Sequence, residues 1–184
     1  MKIRMFQVDA FTEELFGGNP AAVCILEEWL PETLMQAIAA ENNLAETAFI
    51  IADEEGYAIR WFTPTVEVDL CGHATLASAH VIFNHTDYHG NEIIFHSHRS
   101  GILKVMRHGA LLTLDFPADD FRQVTTPIVL EEALGIEPMA TYKGRTDYMA
   151  VLPSELDVKD LQPDFTLLAT VEARGIIVTA MGDS

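Results

Sequence analysis

Cysteine, basic residues and long apolar runs are all scarce in this chain, and each shortage closes off a class of protein. Only two cysteines occur in 184 residues, Cys24 and Cys71. They make no disulfide framework and fit a reducing compartment. Lysine and arginine number 11 against 28 aspartates and glutamates, a formal net charge of −17. Nucleic acid and anionic membrane surfaces need basic patches, so neither is an expected partner. A small anionic substrate is still admitted, because a local pocket can be positive in an acidic protein. The longest apolar stretch, Ala74 to Phe83, contains Ser78 and His80 and falls short of the roughly 20 residues of a membrane span. The N-terminus has no signal-like run: Met1-Lys2-Ile3-Arg4 leads into an alternating segment with Asp9. Short repeats and low-complexity tracts are missing too. The expectation is a cytoplasmic globular protein, since 49% hydrophobic residues can form a proper core and 8 prolines with 11 glycines are ordinary usage.

Strand patterns dominate what is present. Residues 3–9, 21–26, 47–52, 57–62 and 66–70 read as strands, with a turn at Asp53-Glu54-Glu55-Gly56 between two of them. Gly17-Gly18-Asn19-Pro20 reads as the end of a loop. Pro31 suits the first turn of a helix reaching Asn42-Asn43. A second helix, about residues 73–84, is apolar nearly all round, which marks an enclosed helix. Three more strands follow at 92–98, 102–107 and 111–116. One helix buried on all sides among strands predicts an α+β roll, a mixed sheet wrapped around a central helix, over residues 1–118. Beyond Pro117-Ala118-Asp119-Asp120, residues 119–184 predict short helices at 130–134 and 156–161 and strands at 148–152 and 175–180. These are too few for a second closed roll. The expectation is an incomplete second roll and a chain truncated from a longer protein.

Two segments carry chemistry. In Asp69-Leu70-Cys71-Gly72-His73-Ala74-Thr75, a glycine and a histidine stand where a strand gives way to the central helix. Free N–H groups at a helix N-terminus attract anions, and glycine lets a ligand approach the backbone. The positive end of the helix dipole favours a neutral imidazole at His73. In Asn43-Leu44-Ala45-Glu46-Thr47-Ala48-Phe49, Glu46 lies between an amphipathic helix and an apolar strand. A carboxylate in apolar surroundings is poorly solvated when charged, which suits proton exchange near neutral pH. Against this, most glutamates at helix ends are solvated or cap an amide. Cys71 next to His73 invites a thiol nucleophile, yet residues i and i+2 across a helix start rarely meet in nucleophile–base geometry and no third orienting group is evident. A small buried cysteine is the expected role. His96 and His98 share a strand face and His85 and His89 a loop, without a stronger ligand motif, so no metal is expected. Glu13-Glu14, Glu27-Glu28, Glu54-Glu55, Asp119-Asp120 and Glu131-Glu132 read as solvated faces.

Ordered blocks along essentially the whole chain resemble the phenazine-biosynthesis isomerase-like (PhzF-like) family, which shares the diaminopimelate epimerase fold. The blocks are Val8-Asp9-Ala10-Phe11, Gly18-Asn19-Pro20-Ala21-Ala22-Val23, Asn43-Leu44-Ala45-Glu46-Thr47-Ala48-Phe49, Arg60-Trp61-Phe62-Thr63-Pro64, Val68-Asp69-Leu70-Cys71-Gly72-His73-Ala74-Thr75 and Leu114-Asp115-Phe116-Pro117. The resemblance implies two similar rolls with the active site between them and proton transfer without a cofactor. Glu46 would be the general acid/base. His73 would be catalytic too, positioning a small carboxylate metabolite and relaying a proton, with substrate contacts at Asn19, Ala45, Gly72, Ala74 and Thr75. Two departures stand out. The family's Asp-Pro-x-x-Gly-Ser-Ala-His segment does not occur, and Ala45 stands where serine is common. A half-cleft open to solvent neither excludes water nor stabilises developing charge, so the expectation is a chain inactive alone and prone to self-association, as a homodimer for example. Three rivals are kept: a non-catalytic ligand-binding or dimerisation module of the same fold, a Cys71-dependent hydrolase and a metal-dependent enzyme.

Overall fold

Turn chemistry and strand patterning set the first elements. In the computed structural model, which describes residues 2–182, β1 (Arg4–Ala10) and β2 (Asn19–Leu26) pair antiparallel from Arg4↔Ile25 to Ala10↔Asn19. Gly18 turns the chain into β2 with φ of +61°, and a Cβ there would lie 2.1 Å from the Ala10 carbonyl oxygen, so no side chain fits. Ala21, Ala22, Val23 and Cys24 are all buried, the mark of a strand covered on both faces. β2 runs parallel to β3 (Glu46–Ala52), and parallel neighbours need a crossover, which α1 (Glu32–Asn42) supplies. Pro31 is the N-cap of α1 and not, as expected, a residue of its first turn; its carbonyl accepts from the Leu34 and Met35 amides. Asn43 ends the helix in the left-handed conformation, φ 50°.

The remaining elements of this unit are β4 (Tyr57–Phe62), β5 (Glu67–Val68), α2 (Gly72–His85), β6 (Glu92–Ser97), β7 (Gly101–His108) and β8 (Leu111–Asp115). The strand order is β1-β2-β3-β4-β6-β7-β8, with β5 added on β4. α2 packs against both edge strands, β1 and β8, as well as β2 and β3. Seven strands spaced by about 4.8 Å would hold the edges of a flat sheet roughly 30 Å apart, so the sheet must curl around the helix. The fold is thus α+β, a mixed sheet wrapped on a central helix. Ala74, Ala77 and Ala79 keep α2 slim enough for Trp61, Phe95 and Ile59 to close on it. On the outer face Met35 and Ala39 of α1 cover Cys24, Phe49 and Phe62. The segment 85–89, expected as loop, begins inside α2 at His85.

A buried ion cluster ties β5 to its neighbours. The Glu67 side chain is 5% exposed and accepts from Arg60 Nε at 2.7 Å and Arg99 Nη2 at 2.8 Å. Arg99 also donates to Asp69 Oδ1 at 3.0 Å, and Ser100 Oγ donates to the Asp69 carbonyl at 2.6 Å. The segment entering α2 is therefore held by the turn before β7. The Arg60 guanidinium holds the Glu67 carboxyl below its ordinary 4.5, against the effect of burial. A carboxyl depressed on folding stabilises the native state above its unfolded value and loses that contribution as pH falls through its folded value. Glu67→Gln should destabilise by about 2 kcal/mol at about pH 6, a buried-pair loss discounted for the exposure of the arginines. The gap should narrow as urea midpoints are taken at lower pH. A gap that does not change with pH would mean the cluster contributes no charge-dependent stability.

The chain divides into two compact units, 1–117 and 118–184. The second contains β9 (Arg122–Val124), α3 (Ile128–Leu134), β10 (Ala140–Lys143), β11 (Asp147–Val151), α4 (Glu155–Lys159), α5 (Phe165–Leu168) and β12 (Gly175–Thr179). Its sheet order is β12-β11-β10-β9, parallel only between β11 and β12. Leu130, Leu134, Ala150 and Val171 form its core. β9, β10 and α5 were not expected from the sequence; three to four residues each, they are too short to show a period. Among the described residues no helix is long and apolar enough to cross a membrane.

Candidate active site

The strand register brings three segments to one end of the first unit. Ala21 pairs with Glu46, so the starts of the parallel strands β2 and β3 lie side by side. α2 packs on both strands, and its first turn joins them there. His73 Nε2 lies 3.2 Å from Glu46 Oε2, with the imidazole 9% and the glutamate side chain 19% exposed. The contact is not a directed hydrogen bond: Nε2 has no hydrogen-bond partner among the described residues. Both groups therefore retain capacity for a ligand.

Burial lowers the His73 pKa below its ordinary 6.5, opposed by the Glu46 carboxylate and the Pro20 carbonyl. The shift favours the neutral ring, which can donate through one nitrogen and accept through the other. Cys71 departs from the expectation that residues two apart fail to meet. Its Sγ is 3.4 Å from His73 Nδ1, because the N-cap backbone is extended (φ −142°, ψ 114°) and turns the side chain over the first turn. Burial pushes the thiol up to about 12, and the Glu46 carboxylate adds to this, while the amides of Ala74 and His73 pull the other way. A thiol so held is not the thiolate that a cysteine hydrolase needs. One ligand atom from each of Glu46, Cys71 and His73 lies within 4.8 Å of the others, so these three residues could hold a metal ion.

Of the expected contact residues, Asn19 is half-buried at the start of β2, and Ala45 is exposed next to Glu46. A Cβ on Gly72 would meet nothing within 4 Å, so the space over this residue is open to a ligand. Ala74 is buried, and its amide, which the helix leaves without a carbonyl acceptor, is directed at the Cys71 sulfur. Thr75 requires a correction. Its amide and its hydroxyl both donate to the Cys71 carbonyl, at 3.3 and 2.6 Å, so neither is available to a substrate. The Pro20 carbonyl beside His73 and the reach of Cys71 were missed from sequence, where only contacts along one element are visible.

Other groups stay apart from this cluster. His96 pairs with Asp53 at 2.8 Å, and His85 stacks on Phe6. The acidic pairs are exposed, although Asp119 binds Arg145 at 2.9 Å. A cavity of about 620 Å³ opens in the seam between β1 and β8, lined by Asp9, Phe11, Leu76, His80 and Leu111, among others. It brings no base, thiol and imidazole together, and chemistry favours the Glu46 cluster over this cavity.

The model of the phenazine biosynthesis-like protein family (PhzC-PhzF) matches residues 8–183. An uncharacterized isomerase of Pseudomonas aeruginosa is 48% identical over 182 residues, covering 99% of this chain and 69% of the relative. An uncharacterized isomerase of Halalkalibacterium halodurans is 44% identical over 185 residues, covering 100% and 70%. A crystal structure of a PhzF-family phenazine biosynthesis protein from Enterococcus faecalis superposes with a TM-score of 0.90 at 47% identity, again over 100% of this chain and 70% of the other. With the family match running through both units and the same roll in a relative of nearly half-identical sequence, the chain belongs to the PhzC-PhzF family of phenazine biosynthesis-like proteins.

Proposed function

We propose that this chain is an isomerase that moves a proton between carbons of a small carboxylate-bearing metabolite, with Glu46 as general acid/base and no cofactor. The observation that carries the proposal is the 3.2 Å approach of Glu46 to a buried His73 at the N-terminus of the central helix. The names of its relatives, isomerases in Pseudomonas and Halalkalibacterium, support the same reaction class. In the step, the Glu46 carboxylate takes a proton from a carbon beside an electron-withdrawing group, and the electron pair passes into that group. The protonated Glu46 then returns the proton to another carbon or the other face. His73 donates a hydrogen bond to the charge that develops, and the helix N-terminus at Gly72 takes the substrate carboxylate. Most of the catalytic effect is asked of the positioned base and of stabilised negative charge.

Solvent deuterium uptake into a panel of small carboxylates, read by mass spectrometry, tests the reaction class. Exchange at a carbon-bound hydrogen supports it. Ligands that bind without any exchange would instead mark a non-catalytic binding module. Gly72→Ala tests the carboxylate site separately. Because the added methyl meets nothing in the protein, stability should change by less than about 1 kcal/mol. Carboxylate affinity should fall about tenfold or more, as the methyl enters the ligand's space. Equal affinity for glycine and alanine forms would move the carboxylate elsewhere.

A further inference from the structure

The same three side chains present an oxygen, a sulfur and a nitrogen donor, a set that proton transfer does not require. From the convergence of one donor atom from each residue within 4.8 Å we infer that Glu46, Cys71 and His73 bind one thiophilic divalent cation of the Zn²⁺ type, which inhibits the proton-transfer site.

Spacing, burial and charge each support this. A tetrahedral ion with bonds of about 2.0–2.3 Å needs ligand atoms about 3.3–3.8 Å apart. Here Cys71 Sγ is 3.4 Å from Nδ1, Glu46 Oε2 is 3.2 Å from the ring's other nitrogen, Nε2, and one donor atom from each residue lies within 4.8 Å of the others, so a turn of the imidazole or of a flanking side chain is needed to close the site on one ion. The imidazole is nine-tenths buried and points an unpartnered nitrogen at the carboxylate, which is the requirement of a ligand and not of a packed core residue. Binding converts Cys71 to the thiolate and releases one proton to solvent. Thiolate and carboxylate then cancel the dication's charge, leaving a neutral cluster where the helix dipole would oppose a bare cation. Sulfur and imidazole select zinc or cobalt over magnesium or calcium, which prefer oxygen cages. With three protein ligands, a fourth position stays open to water or an anion. Inhibition follows because the Glu46 lone pair is committed to the metal; that consequence rests on the proposed role of Glu46, whereas binding does not.

Titration of the 184-residue chain with Co²⁺, followed by displacement with Zn²⁺, tests the site. The expected result is one equivalent bound, one proton released and a sulfur-to-cobalt absorption band in the near ultraviolet. The band should disappear in Cys71→Ser and persist in Cys24→Ser, since Cys24 lies in the separate core under α1. Zn²⁺ affinity should fall at least about 100-fold in Cys71→Ser and in His73→Gln, at or above the top of the range seen when outer-shell partners are removed. His96→Gln should leave it unchanged. A wild-type chain without the sulfur band, or a band lost only with Cys24, overturns the inference. Should Cys71→Ser not fold, the wild-type and Cys24→Ser spectra decide it. Zinc that binds with the sulfur band yet leaves deuterium exchange untouched upholds the metal site and removes Glu46 from catalysis.

Discussion

Glu46→Gln is expected to lower deuterium uptake by about 10²–10⁴-fold, the usual contribution of a positioned general base. The amide keeps the shape of the side chain but has no basic oxygen to accept a proton. Folding should be nearly unaffected. The β3 register depends on the backbone of Glu46 paired with Ala21, and the side chain makes no aligned hydrogen bond to His73. Stabilities from urea unfolding should therefore agree within about 1 kcal/mol, since the glutamine amide can still meet the Cys71 thiol that the carboxylate contacts. Binding of a carboxylate should persist, because the proposed anion contacts lie on the α2 backbone. Loss of exchange without loss of binding would assign the residue to the chemical step. Exchange at the wild-type rate in the glutamine form would remove the carboxylate from the mechanism.

Trp61→Ala should cost about 3–5 kcal/mol, the range for truncating a buried tryptophan. Trp61 is fully buried, stands on β4 opposite Ala48, and also pairs with Val68 of β5. A cavity at that point removes the packing of α2 and loosens β5, whose chain continues into Cys71 and His73. The tryptophan also has a liability: its indole N–H finds no partner among the described residues. An unpaired buried donor costs about 1–3 kcal/mol, so Trp61→Phe gives up bulk but recovers this penalty. The phenylalanine form should lie within about 1.5 kcal/mol of wild type, because the cavity left by the smaller ring is offset by removal of the unpaired donor. Urea unfolding of both forms measures the difference. Equal losses for alanine and phenylalanine would show that the indole nitrogen is satisfied after all.

How much of this was legible in sequence varied with the length of the element. The stretch from His73 to Phe83 is apolar on every side, and such a helix has no stable position except inside other structure; from this the curled sheet followed. Glu46 was conspicuous because a charged residue interrupts a run of alanines and aromatics. The second unit was harder. β9, β10 and α5 are too brief for a hydrophobic period to emerge, and local propensity alone is a weak prior. Within the site, Thr75 was expected to offer a donor, yet the first turn of its own helix uses both its amide and its hydroxyl.

The enclosed character of the central helix and the chemical identity of the reactive groups were decided by the sequence itself, since periodicity and turn residues act over a few neighbours. Which groups meet was decided only by tertiary structure. Glu46, Pro20 and the Cys71–His73 turn belong to three segments that the parallel β2–β3 register and the packing of α2 bring to one end of the roll. The extended backbone at Cys71 then sets its sulfur against the imidazole. Contacts of this kind depend on sheet curvature and crossover geometry, which no window of consecutive residues encodes.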